Sequence, residues 1–180
     1  MFDLPLHPIA VHFPIVLGVI LPVAALLFWW AIKKEYLQQK AWILVVFLAL
    51  AYGVSSFVAV ELGEKDEDKV EKVVSEKVIE EHEEAGELIP WIATGLFLFA
   101  LAGFLPKNSH RIRLALAVLS LAAIIPLANT GHTGGKLVYQ YGAPMLIFQV
   151  STRHWSGLEN FMWRMRKWST MNRKMMRTIS

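Results

Sequence analysis

The sequence predicts an all-α fold, an integral membrane four-helix bundle, on three observations. Its apolar residues gather into four blocks, the two short connections between blocks are basic, and the long connection is acidic with helical period. The blocks cover residues 9–32, 41–62, 88–105 and 112–129. Each is near the roughly 20 residues that cross a ~30 Å hydrocarbon core at ~1.5 Å per residue. Of 180 residues, 55% are apolar, and mean hydropathy is +0.42. A soluble domain of this size with a normal polar shell is excluded. The bundle accounts for residues 1–145 and leaves a basic, aromatic tail over 146–180.

The first block is expected to persist as helix one, because Met1-Phe2-Asp3-Leu4 carries an acid where a cleavable signal has a basic region, and the apolar stretch is too long. Its opening, Leu6-His7-Pro8-Ile9-Ala10-Val11-His12-Phe13-Pro14, uses prolines that a first helical turn tolerates. On a helix, positions five apart diverge by about 140°, so His7 and His12 suit two separate contacts better than one shared metal. Lys33, Lys34 and Lys40 then separate helices one and two, and Lys107, Arg111 and Arg113 join helices three and four. Basic connections belong in the cytoplasm. The N-terminus, the 2–3 connection and the end of helix four are therefore expected outside, which in a bacterium means the periplasmic side of the inner membrane. Trp29, Trp30 and Trp42 read as an aromatic belt at the inner interface.

The 2–3 connection, residues 63–87, holds most of the chain's Asp and Glu against Lys65, Lys69, Lys72 and Lys77. Val70, Val74, Val78, His82 and Gly86 recur every fourth residue and share a helical face, so helix three is expected to project beyond the membrane with His82 on its inward stripe. The glutamates around it, Glu80, Glu81, Glu83 and Glu84, point to different faces and read as a solvated stripe. Helix four is expected to close at Asn129-Thr130-Gly131-His132-Thr133-Gly134-Gly135, where glycines favour capping and close approach. The stretch 137–150 carries Gly142 and Pro144 and is too short for a fifth span.

In the tail, Arg153, Arg164, Arg166, Lys167, Arg173, Lys174 and Arg177 alternate with Trp155, Phe161, Met162, Trp163, Met165 and Trp168. That pattern predicts an amphipathic helix on anionic headgroups, and an extracytoplasmic tail meets no nucleic acid. Its cations start beyond the 15 to 20 residues over which charge orients a span, which weakens their conflict with this topology. His110 and His154 read as solvated.

Four histidines, His7, His12, His82 and His132, thus fall at the same membrane face. An imidazole at that depth needs protein, water or a metal to face. The chain has no cysteine, which excludes disulfides, thiolate sites and covalent c-type haem. It also carries no nucleophile–base pairing, phosphate-cradling glycine loop or H-E-x-x-H helix. Three readings of the cluster stay open. Histidines cap helix ends in a non-catalytic scaffold or assembly subunit, or they bind zinc or copper with Glu61, Glu81 or Asp3, or they hold one or two non-covalent b-type haems between facing helices. A transporter is disfavoured, since no charged residue sits mid-span.

The motifs L-H-P-I-A-V-H-F-P at 6–14 and T-G-H-T-G-G-K-L-V-Y-Q-Y-G at 130–142, with the histidine at 82 between them, resemble a bacterial membrane family catalogued as domain of unknown function 2231. The resemblance covers roughly residues 5–145. It implies four membrane helices and, because members are joined to c-type cytochrome or Rieske-type modules, a membrane redox setting. It therefore favours haem b, with His7, His12, His82 and His132 as axial ligands of unassigned pairing. The expected protein is an electron-transfer subunit rather than a stand-alone enzyme, working between quinone and a separate periplasmic c-type cytochrome or iron–sulfur protein, alone or as an oligomer. The long charged connection and basic tail depart from the compact family pattern.

Overall fold

The computed structural model describes residues 6–71, 74–105 and 109–142, together with 163, 164 and 166. The described residues form α1 (His7–Ala10), α2 (His12–Lys33), a 3₁₀ turn (Gln39–Trp42), α3 (Ile43–Val70), α4 (Glu76–Ala102), α5 (Ser109–Ala122) and α6 (Ile124–Tyr139). Four stretches, His7–Lys33, Gln39–Glu67, Glu76–Ala102 and Ser109–Tyr139, are long and apolar enough to cross a membrane. The all-helical, four-span architecture is the one expected. The chain divides into two compact units, Met1–Tyr141 and Gly142–Ser180. The bundle is the first of them, and the expected amphipathic tail lies outside the described residues, save that Trp163, Arg164 and Arg166 are helical.

Within the bundle α3 packs along both α2 and α4, α5 lies against α2, and α6 lies against α4. The core is a seam of residues at helical spacing, such as Ile89, Ala93, Leu96 and Ala100 on α4 and Val45, Ala49 and Tyr52 on α3, each almost fully enclosed. Alanines bring the backbones close, as membrane helices require where lipid supplies no hydrophobic drive. Large apolar side chains such as Val23, Leu27, Phe47 and Leu121 face outward, the surface a bilayer covers. Buried hydroxyls turn back onto their own helix, Ser56 to the Tyr52 carbonyl at 2.7 Å and Ser120 to the Leu116 carbonyl at 2.8 Å. Neither hydroxyl is left to face hydrocarbon.

Two elements run further than the sequence suggested. The acidic connection is mostly helix: α3 extends to Val70 and α4 starts at Glu76, so the expected stripe is split between two helices, with Val70 on one and Val78, His82 and Gly86 on the other. Lys65 pairs with Glu61 at 2.9 Å, one helical turn apart, on the extended part of α3. The fourth span continues past residue 129 to Tyr139, broken only at Ala123. Pro126 accounts for the break, because it has no N–H to donate to the carbonyl four residues earlier. The glycines at 131, 134 and 135 lie inside this helix.

At the end of the bundle where α2 and α4 finish, Arg113 and Trp42 are both fully enclosed. The guanidinium lies over the Trp42 ring at 5.2 Å and its Nε donates to the Gly103 carbonyl at 2.9 Å, while Trp42 Nε1 donates to the Ala100 carbonyl at 2.9 Å. The Arg113 terminal nitrogens have no hydrogen-bond partner among the described residues. Trp42 is therefore a core residue rather than a belt residue, and Arg113 belongs to the packing rather than to a loop. Trp30, by contrast, is exposed, as a belt requires.

Candidate functional site: two histidines at one end of the bundle

The opposite end gathers the start of α1, the end of α3, the start of α4 and the end of α6. His7 is the first residue of α1, and no side chain from its own turn caps that helix. The cap comes from α3, where Asp66 Oδ2 accepts the His7 backbone N–H at 3.2 Å. The His7 ring turns to the same helix, with Nδ1 2.8 Å from the Ala59 carbonyl. A carbonyl only accepts, so Nδ1 carries a proton, and Nε2 is the nitrogen that this contact leaves for a ligand. Gly63, one turn beyond Ala59, makes room, since a Cβ there would stand 3.1 Å from the ring.

His82 lies in the second turn of α4 and meets α6. Its Nδ1 is 3.0 Å from Thr133 Oγ1, and that hydroxyl donates to the Thr130 carbonyl at 3.0 Å. Thr130 in turn donates to the Ala85 carbonyl on α4 at 2.8 Å. Gly134 repeats the role of Gly63, because a Cβ at that position would come 3.0 Å from His82 Cε1. The two rings meet edge to face with centroids 6.0 Å apart and planes at 78°. Each imidazole is thus fixed through one nitrogen by a neighbouring helix, the arrangement that orients histidine ligands in metal sites.

The apolar stretch of α4 begins only after Glu87, so His82 and Glu83 stand on turns that project beyond it. Burial, and secondly the nearby His7, hold the His82 pKa below 6.5, against a smaller opposing pull from the Thr130 backbone. The ring is therefore neutral at physiological pH. Glu83 moves the other way. Burial first, then the charge of Glu67 and a hydrogen bond to it, then Glu87 and Glu64, push its carboxyl up to about 7.

Of the four histidines expected to converge, the structure brings two together. His12 is exposed and its Nδ1 bonds the Pro8 carbonyl at 2.8 Å, in keeping with the angular divergence from His7. His132 is exposed on α6, about 100° around the helix from the buried Thr133. His110 is exposed as expected, and His154 lies outside the described residues. Of the carboxylates weighed for zinc or copper, Glu61 is paired with Lys65, Glu81 is exposed and Asp3 lies outside the described residues. Among the described residues no group of three or more His, Asp or Glu side chains could hold a metal ion.

Thr130, Thr133, Gly63 and Asp66 were not singled out in the sequence. The signal was present for two of them, because Thr130 and Thr133 lie three apart and, with Gly134, share a face once the helix continues through the glycines.

A family model described as a predicted membrane protein (DUF2231) matches residues 3–146. No curated protein and no solved structure matches the chain.

Proposed function

The chain belongs to the DUF2231 family of predicted membrane proteins, and from that premise we propose that it is a membrane electron-transfer protein in which His7 and His82 hold one b-type haem. One observation carries the reading: two imidazoles from different helices lie 6.0 Å apart, each with its Nδ1 engaged. His7 and His82 would be the residues to hold the group, each through the nitrogen that its neighbouring helix does not engage. The donor set suits the group as well, since neutral imidazole is a usual haem ligand and a bundle core its usual setting.

In this reading the protein supplies position and exclusion. The Ala59 carbonyl and Thr133 hold the two rings, Gly63 and Gly134 let them lie against the backbone, and the bundle keeps bulk water from the inner side. When bound, the haem supplies reversible one-electron exchange between ferric and ferrous iron. His12 and His132, exposed at the same end, are not ligands of this pair. The basic end, with Lys33, Lys34, Lys40 and Arg111, faces the cytoplasm by the positive-inside rule. The histidine end then opens to the periplasm of a bacterial inner membrane, suited to passing electrons between quinone and a periplasmic carrier.

Pyridine haemochrome spectra of the chain purified in detergent after haem-replete expression test the proposal. A b-type spectrum at one haem per chain is expected, lost or strongly altered in both His7→Ala and His82→Ala and kept in His12→Ala and His132→Ala. A native chain without b-type haem discards it.

A further inference from the structure

We propose that Thr133 is a positioning residue for His82, fixing which nitrogen of that ring carries the proton and so leaving Nε2 as the ligating atom. The inference deepens the haem reading and rests on it for its consequence, though the tautomer itself can be observed without any cofactor. A neutral imidazole has one N–H to place on either of two nitrogens. Thr133 is buried and has a single hydroxyl proton, which it gives to the Thr130 carbonyl three residues earlier at 3.0 Å. What it presents to His82 Nδ1, at 3.0 Å, is therefore a lone pair. The proton must sit on Nδ1 for that contact to be a hydrogen bond, and Nε2 is left bare.

The relay is anchored at its far end. Thr130 gives its own hydroxyl proton to the Ala85 carbonyl on α4 at 2.8 Å, with the Pro126 carbonyl a second acceptor at 3.1 Å. Its backbone carbonyl lies one turn before Thr133, on the helix that the ring faces. The chain from His82 to Thr133 to Thr130 to Ala85 stitches α4 to α6, and the Thr130 backbone also acts on the His82 ring directly. At His7 a backbone carbonyl takes the place of the hydroxyl at Nδ1. The two rings thus present the same nitrogen by different means, one through the main chain and one through a hydroxyl that can be removed.

The test uses the full chain, labelled with ¹⁵N-histidine and reconstituted in lipid nanodiscs without haem. Long-range ¹⁵N–¹H correlation spectra are expected to show His82 protonated on Nδ1 and bare on Nε2. Thr133→Val should convert His82 to the other tautomer or to a mixture, and Thr133→Ser should restore the native pattern. Thr133→Ala is the second variant if valine disturbs α6, with helix content checked by circular dichroism. A native His82 protonated on Nε2, or a native tautomer that persists in both hydroxyl-free variants, overturns the proposal. In a second arm, haem affinity should fall about 10- to 100-fold in Thr133→Val and recover in Thr133→Ser, the usual cost of removing a partner behind a metal ligand. A native chain that takes up no haem would overturn the haem reading alone, and the tautomer spectra would still decide the role of Thr133.

Discussion

The two ends of the bundle are built on opposite principles. At the arginine end, Trp42 and Arg113 are completely enclosed, and the indole and guanidinium lie against each other with their bonds directed to the last carbonyls of α4. At the histidine end, two half-buried rings are each tied through Nδ1 to a neighbouring helix. One end uses its aromatic and cationic groups to close the fold, where the finishing helices α2 and α4 present carbonyl dipoles that favour a cation. The other holds its polar groups in position and leaves them available. Stability and ligand binding should therefore separate between the two ends, and substitutions can test that separation.

The largest effect belongs to the arginine end. Trp42→Ala removes a fully buried ring and its bond to Ala100, and should lower unfolding stability in detergent by about 3–5 kcal/mol. The molecules that remain folded should keep the native haem spectrum, and a spectrum altered in step with stability would break the comparison. Gly103→Ala works on the same contact from the other side, because a Cβ there would collide with the Trp42 indole nitrogen and stand 2.9 Å from its Cε2. Overpacking of this kind costs about 1–3 kcal/mol, read as a lower thermal midpoint.

Gly134→Ala makes the converse point at the histidine end. The added methyl would press on His82 Cε1 at 3.0 Å, and the ring is tethered through Nδ1, so it must turn about that bond. Stability should change by less than about 1 kcal/mol, because the site is only partly buried. The haem spectrum, or the His82 ring resonances of the cofactor-free chain, should shift clearly. A loss of stability as large as that of Gly103→Ala, with the ring signals unmoved, would show that both ends are structural.

How far each end could be read in advance follows from the same contrast. The four spans were legible because length and hydropathy determine them, and a shared face for the histidines followed from counting crossings. Which histidines meet was not legible, since helical period places a residue on its own helix and says nothing about the neighbouring one. The sequence predicts an end to the fourth helix at residue 129 because glycine weakens isolated helices, whereas α6 packs on α4 and continues through Gly131, Gly134 and Gly135. Arg113 and Trp42 were placed at the interface because composition cannot distinguish a cation beneath an indole from one in water. Tertiary packing overrode a local preference in each case.

The smallest effect is at Glu83, and its sign runs against the usual behaviour of carboxylates. Its carboxyl is pushed from 4.5 up to about 7, first by burial and then by Glu67, Glu87 and Glu64, so the folded chain binds this proton more tightly than the unfolded chain does. The contribution to stability is present below about 4.5 and is lost as pH rises through about 7. His82 works in the opposite sense. Its folded pKa lies below 6.5, so its contribution grows as pH rises toward 6.5 and then levels off. Above 6.5 the histidine is silent, and any further fall in stability belongs to the carboxyl. Thermal midpoints of the haem-free chain in detergent, taken in steps between about pH 5 and pH 8, should therefore fall between 6.5 and about 7 and level off above that, and Glu83→Gln should remove the fall because the amide cannot ionise. An unchanged slope in Glu83→Gln would mean that Glu83 and Glu67 do not share a proton, and that the ends of α3 and α4 are held together by packing alone.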